Sequence, residues 1–205
     1  MHSATSSYLG PALIRRVVGI DEAGRGPLAG PGVAAAVVFV DGETIPGIGD
    51  SKRLTASRRS RLSLRIRGTA VDWAIGAATA REVDRLNIHN ATLLAMRRAV
   101  LGLCERIDYV YIDGKFYPDI PNPGESVIRG DKNIPVVSAA SILAKVSRDR
   151  QMVWLDRIYP QYGFSRHKGY PTRFHRSALE TLGPTPEHRM SYAWVDKAKV
   201  VRCKG

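Results

Sequence analysis

Apolar residues fall along this chain in short blocks separated by glycine, proline and charge. Val17 to Asp21 (VVGID), Val33 to Val40 (VAAAVVFV) and Ala70 to Ala78 predict three consecutive strands, the second starting behind Pro31-Gly32. Such a succession predicts a β-meander. Between the second and third, Thr55 is placed to cap a short helix. From Asn90 the period changes: Leu93, Met96, Val100, Leu103 and Cys104 recur at three- and four-residue spacings, which predicts a helix with Cys104 on its inner face. Tyr109 to Asp113 (YVYID) returns to strand, and Ser126 to Ile128 predicts another. A further helix is expected near Ser138, because Pro135 disfavours an earlier start. Its stripe of Ile142, Val146, Asp149 and Val153 carries a carboxylate on the buried side, which calls for a basic neighbour.

Strands first and helix–strand alternation later give an α/β class, a mixed sheet with helices packed on it. From Tyr159 onward glycines and prolines alternate with aromatic and basic residues, with one helix expected around Thr172 to Leu182. This divides the chain into a main unit, 1–158, and a helical extension, 159–205, that borders a site.

Composition narrows the class of partner. The chain has 205 residues, 44% hydrophobic and 24% charged, enough to bury a core. Its net charge of +12 suits a polyanion, whose counterions such a surface displaces. Ser51 to Arg67 concentrates Lys52, Arg53, Arg58, Arg59, Arg61, Arg65 and Arg67 without one acid, as a phosphate-contacting surface would. Two cysteines support neither a disulfide framework nor a four-cysteine zinc site, and the five histidines lack zinc-ligand spacing. The N-terminal segment has no apolar core of a signal peptide, and no run is long enough to span a bilayer, so the expected setting is cytoplasmic.

The candidate chemistry lies in carboxylates. Asp21 and Glu22 end one strand and Asp113 ends another in a similar context, YVYIDG. If these strands are parallel neighbours, their C-terminal ends bring the acids together at the edge where open α/β sheets bind ligands. Asp131, in IRGDKNIP, follows the next strand and can reach the same edge. Such a cluster repels itself unless it is protonated or bridged by cations. Oxygen ligands without His or Cys suit Mg²⁺ or Mn²⁺, and a pair of such ions can direct water in an in-line phosphoryl displacement. Taken singly, each acid is better explained as a turn residue; it is their grouping at two similar strand ends that favours a site. Gly24-Arg25-Gly26 does not complete a dinucleotide fingerprint, because Gly30 comes one residue too late, and no Walker lysine follows. What remains is a loop whose small residues admit a substrate close to the backbone.

With these blocks in view, the chain resembles the type 2 ribonucleases H (ribonuclease HII). The resemblance rests on GIDEAGRGPLAGP, DSKRLT (Asp50 to Thr55), YIDG, GDKNIPVVSAASILAKVSRD (Gly130 to Asp149) and HKGYPT (His167 to Thr172), in that order. It implies a ribonuclease H-like fold with a mixed five-stranded sheet. It also implies a monomeric endonuclease for the RNA strand of RNA–DNA hybrids and for single ribonucleotides in duplex DNA. The implied metal ligands and catalytic acids are Asp21, Glu22, Asp113 and Asp131, holding two Mg²⁺ or Mn²⁺ ions. Gly24, Arg25 and Gly26 would read the ribose 2′-hydroxyl, the group that distinguishes RNA from DNA. Tyr170 would stack on the next sugar, and Lys52 and Lys145 would contact phosphate. Two other readings stay open at this point: a DNA nuclease on the same fold, and a basic binding module whose acids are structural.

Overall fold

The computed structural model describes residues 15–48 and 54–202, so Lys52 and most of the DSKRLT block lie outside the described residues. Five strands form one sheet: β1 (Arg16–Ala23), β2 (Gly32–Val40), β3 (Asp72–Ala78), β4 (Tyr109–Asp113) and β5 (Gly124–Val127), in spatial order β3-β2-β1-β4-β5. The first three make the expected antiparallel meander, while β4 runs parallel to both β1 and β5. Because β1 is central, both of its faces are covered. Val17 faces a core shared with α1 (Ala56–Thr69) and α4 (Pro135–Ile158), and Val18 and Ile20 face one shared with α2 (Ala80–Leu101). Buried runs on both faces explain why β1 and β2 read as nearly continuous apolar stretches rather than alternating ones.

Helix α4 crosses β1 so closely that a Cβ on Gly19 would lie 2.3 Å from the Val136 carbonyl carbon. Gly19 therefore sets the distance between the acids of β1 and the side chains of α4. The helix begins at Pro135, earlier than expected. Proline is suited to the first helical position, where its missing N–H has no partner to lose. Asp149 is half-buried rather than on the core side, accepting from Lys145 Nζ at 2.7 Å with Arg59 at 4.0 Å, and Val153 beyond it is exposed. The basic partner that the sequence called for is thus present.

Two other expectations need correction. Thr79 and Glu82 form a capping box that starts α2 ten residues before Asn90, and a left-handed Asn87 (φ 64°) kinks it. The helix ends at Leu101, with Gly102 as its cap, so Cys104 lies beyond it and is exposed. Met96 and Val100 of the expected stripe are buried against the sheet, with Leu93 and Leu103 packed partly buried beside them, and alanines 91, 95 and 99 share that buried face. Thr55 does cap α1, accepting from the Arg58 N–H at 3.3 Å. On that helix Arg58, Arg61 and Arg65 are exposed. Arg59 instead turns to the Leu54 carbonyl, and Arg67 lies over the Trp73 ring at 4.1 Å.

The C-terminal part contains short α3 (Gly130–Asn133) before α4, and after it α5 (Phe164–His167), α6 (Arg173–Leu182) and α7 (Ala193–Arg202). A third core of Leu28, Ala29, Met152, Leu155, Tyr162, Phe164, Leu179 and Val195 joins this extension to the loop after β1.

Candidate active site

The parallel register of β1 and β4 pairs Ile20 with Ile112, so the next residue on each strand is an aspartate, Asp21 and Asp113. Both line a cleft of roughly 220 Å³ at the C-terminal edge of these strands. Glu22, Gly24, Arg25, Gly26, Ser141, Lys145 and Tyr170 line it too. Asp131 reaches the cluster through its backbone, at the first turn of α3, where its N–H points at Asp113 Oδ1 at 3.4 Å; its side chain is 3% exposed. Among the described residues no three His, Cys, Asp or Glu side chains close into a ready-made ligand set. Asp21, Glu22 and Asp113 line a common space, and the first two are in contact, the Glu22 N–H donating to Asp21 Oδ1 at 2.6 Å.

Their electrostatics follow from that arrangement. Burial pushes the Asp21 carboxyl well above the ordinary carboxylate range, and the Glu22 and Asp113 charges push it the same way. A hydrogen bond from the Ser141 hydroxyl opposes the shift. Glu22 is also raised, first by burial and further by Asp113, while Arg25, 3.5 Å from Glu22 Oε1, pulls it down. Without a cation these carboxylates destabilise one another, and an all-oxygen donor set of this kind fits a hard divalent ion.

The loop from Gly24 to Pro31 is held by two arginines that sequence reasoning did not single out. Arg189 is fully buried and donates to the carbonyls of Gly24 (2.6 Å), Arg25 (3.0 Å), Pro27 (2.9 Å) and Gly30 (3.1 Å). Arg148 donates to Ala29 (3.1 Å), Pro31 (3.0 Å) and Lys168 (3.0 Å). Burial, then the neighbouring Arg189 charge, lowers Arg148 to about 10, so it stays cationic at neutral pH. The guanidinium fork supplies donors in a fixed plane, which one ammonium could not. With its carbonyls turned inward to these arginines, the loop can present other backbone groups to the cleft. Gly24 takes φ +101°, and a Cβ there would sit 2.1 Å from Arg148 Nε. A Cβ on Gly26 would meet only Tyr170 Cε1, at 3.6 Å, so Gly26 and the Tyr170 ring face each other across the cleft.

Tyr170 is 43% exposed and belongs to a turn bonded to this loop, with the Leu28 N–H donating to the Gly169 carbonyl at 2.8 Å. Lys145 lines the cleft but is engaged by Asp149. Ser141, also missed, sits one helical turn before Lys145; that four-residue spacing places both on one side of α4.

A family model described as Ribonuclease HII matches residues 18–195. Among solved structures, ribonuclease H2 from Pyrococcus horikoshii OT3 is 26% identical with a TM-score of 0.77, the match covering 93% of this chain and 100% of that one. The ribonuclease HII of an Archaeoglobus fulgidus complex with PCNA is 24% identical over 89% of this chain and 96% of that one, with a TM-score of 0.72. Bst-RNase HIII, solved with Mn²⁺, shares the fold at 18% identity and a TM-score of 0.75, over 93% of this chain and 71% of that one.

Proposed function

The chain belongs to the ribonuclease HII family and is a nuclease that hydrolyses phosphodiester bonds, and from that premise we propose its substrate and mechanism. It cleaves the RNA strand of RNA–DNA hybrids and cuts 5′ to single ribonucleotides in duplex DNA, leaving 3′-hydroxyl and 5′-phosphate ends. The observation that carries this reading is the shared cleft, in which the acids of two adjacent parallel strands face Gly24 to Gly26 and Tyr170.

Asp21, Glu22, Asp113 and Asp131 would hold two Mg²⁺ or Mn²⁺ ions. When bound, such ions activate water and neutralise charge on the leaving oxygen. The chain's own residues do the rest. Ser141 fixes the Asp21 carboxyl through its hydroxyl. Backbone groups of Gly24, Arg25 and Gly26, held in register by Arg189 and Arg148, meet the ribose 2′-hydroxyl. Tyr170 stacks on the sugar of the following deoxynucleotide and so senses an RNA-to-DNA junction. Lys145 contacts a backbone phosphate, and Lys52 is assigned the same role. Residues 1–158 form the catalytic unit and 159–205 the extension that borders it, in a monomer working in the cytoplasm. Among the described residues no helix is long and apolar enough to cross a membrane.

The test is a side-by-side digestion of matched duplexes, all-DNA, with one ribonucleotide, and with a full RNA strand, in Mg²⁺ and in Mn²⁺, with product ends mapped. Cleavage confined to ribonucleotide-containing duplexes, 5′ to the ribonucleotide, is expected. Equal cleavage of all-DNA duplex would replace this reading with a DNA nuclease, and metal-independent binding without turnover would replace it with a binding module.

A further inference from the structure

The extension packs three histidines around Phe164, His175 and His188 buried and His167 half-buried, and the hydrogen bonds of the buried pair run in one direction. The Thr185 backbone N–H donates to His188 Nδ1 at 2.9 Å, so the proton of His188 is on Nε2. That nitrogen lies 3.0 Å from His175 Nε2. His175 Nδ1 lies 3.0 Å from the Tyr170 carbonyl, which can only accept, so His175 carries its proton on Nδ1 and accepts at Nε2. One tautomer satisfies these three bonds, Thr185 N–H to His188, His188 Nε2–H to His175 and His175 Nδ1–H to Tyr170, with the Thr185 hydroxyl also 2.9 Å from His188 Nδ1. His167 stacks on His175 at 4.4 Å between ring centroids. It has its own fixed assignment, donating from Nε2 to the Tyr162 carbonyl at 2.7 Å and accepting the Gly169 N–H at 3.1 Å. Burial foremost lowers His175 to about 4 and His188 to about 3, so both are neutral at pH 7 and the direction of the chain is not scrambled by protonation.

The chain ends on the residue whose ring faces Gly26. Because that ring is substantially exposed, its position depends on how its own backbone is held. The Tyr170 N–H donates to the His167 carbonyl at 2.9 Å, and its carbonyl accepts from both Thr172 N–H, at 2.8 Å, and His175. We propose that His188 and His175 are positioning residues that set Tyr170 for stacking on the junction sugar, and thereby set the preference for a ribonucleotide–deoxyribonucleotide junction over a continuous RNA strand. This rests on the reading of Tyr170 given above and concerns specificity rather than the chemical step.

Two substitutions at one position separate positioning from mere packing. Asparagine places its amide nitrogen near the site of imidazole Nδ1, and glutamine places its terminal atoms near the site of Nε2. His175→Asn can keep the bond to the Tyr170 carbonyl and lose His188; His175→Gln does the reverse. Each gives up one buried hydrogen bond and ring volume, so their folding defects should be similar. The readout is the ratio of kcat/KM on a single-ribonucleotide duplex to that on a continuous hybrid, taken from one preparation so that the fraction folded cancels. His175→Asn should hold the wild-type ratio, while His175→Gln should lower it about fivefold or more, the equivalent of one net hydrogen bond, towards the value for Tyr170→Ala. Equal ratios for the two His175 variants, with Tyr170→Ala still altered, would overturn the positioning role alone. An unaltered ratio in Tyr170→Ala would instead overturn the reading of Tyr170. If the His175 variants do not accumulate folded, His188→Gln, whose amide still donates to His175 Nε2 and so holds the His175 proton on Nδ1, is compared with His188→Asn, which frees that proton to move to Nε2, a freedom that an asparagine amide at position 175 lacks. The first should retain the ratio and the second should not; equal ratios again overturn the role.

Discussion

Replacing Asp113 by asparagine should make the metal-free protein more stable while removing its activity. The substitution deletes one like charge from a cleft where Asp21 and Glu22 are both raised by burial and by Asp113. It keeps an acceptor oxygen for the Asp131 N–H. Two unit charges a few ångströms apart in a partly buried site repel by about 2–4 kcal/mol at an effective dielectric near 20. Proton uptake by Asp21 already relieves part of this, so the expected gain is about 1–2 kcal/mol, or roughly 2–8 °C in Tm for a chain of this length. The sign with pH follows from the raised carboxyls: the gain should grow as pH rises from the ordinary carboxylate range through the folded-state values, and vanish in acid. Thermal unfolding in EDTA across pH 5–8, repeated with Mn²⁺, measures it. Saturating Mn²⁺ at a hundred times its Kd should stabilise wild type by about 2.7 kcal/mol and the variant by much less, which reverses their order. Cleavage by Asp113→Asn should be lost with most duplex binding retained. A variant that melts below wild type in EDTA, responds equally to Mn²⁺, or cuts at the normal rate refutes the reasoning.

Other consequences are as concrete. Arg189→Lys should cost about 3 kcal/mol or more, because one ammonium cannot serve four carbonyls in the buried loop; urea denaturation gives the value, and limited proteolysis should cut within residues 24–31. Gly24→Ala should destabilise by about 2 kcal/mol or more through its positive φ and the clash with Arg148, as the same denaturation would record. Gly26→Ala should fold normally yet raise KM for a single-ribonucleotide duplex. His175 and His188, with folded values near 4 and 3 against 6.5 unfolded, stabilise the fold above the unfolded value and lose that contribution as pH falls, each by about 1.4 kcal/mol per pH unit. NMR should find both imidazole resonances stationary from pH 8 to 5, and stability should fall with acid in an Asp21→Asn/Glu22→Gln background, where the opposing carboxyl effect is gone.

What the sequence disclosed was set by local physics. The strand ends bearing Asp21 and Asp113 were legible because apolar runs stop at them, and their meeting followed from one assumption, parallel neighbours, which the register bears out. Cys104 was misplaced because the three- and four-residue spacing continues past Gly102, where the backbone leaves the helix. The start of α4 was missed by treating Pro135 as a barrier instead of a first helical residue. The capping box of Thr79 and Glu82 was a local signal left unread. Arg148 and Arg189 had no local signal: they bond to backbone carbonyls more than a hundred residues away, and any residue type offers a carbonyl. The histidine chain was hidden likewise, since its tautomers depend on partners brought together only by the folded extension.

The bond from Arg189 to the Gly24 carbonyl joins positions 165 residues apart. On the ribosome, at roughly 5–20 residues per second, the arginine is made some ten to thirty seconds after the glycine. During that interval the acids of β1 have already been synthesised, but the loop beside them lacks its anchor. The shape of the loop next to the acids is therefore a late product of folding, fixed only once residue 189 has been made and has reached the carbonyls it binds.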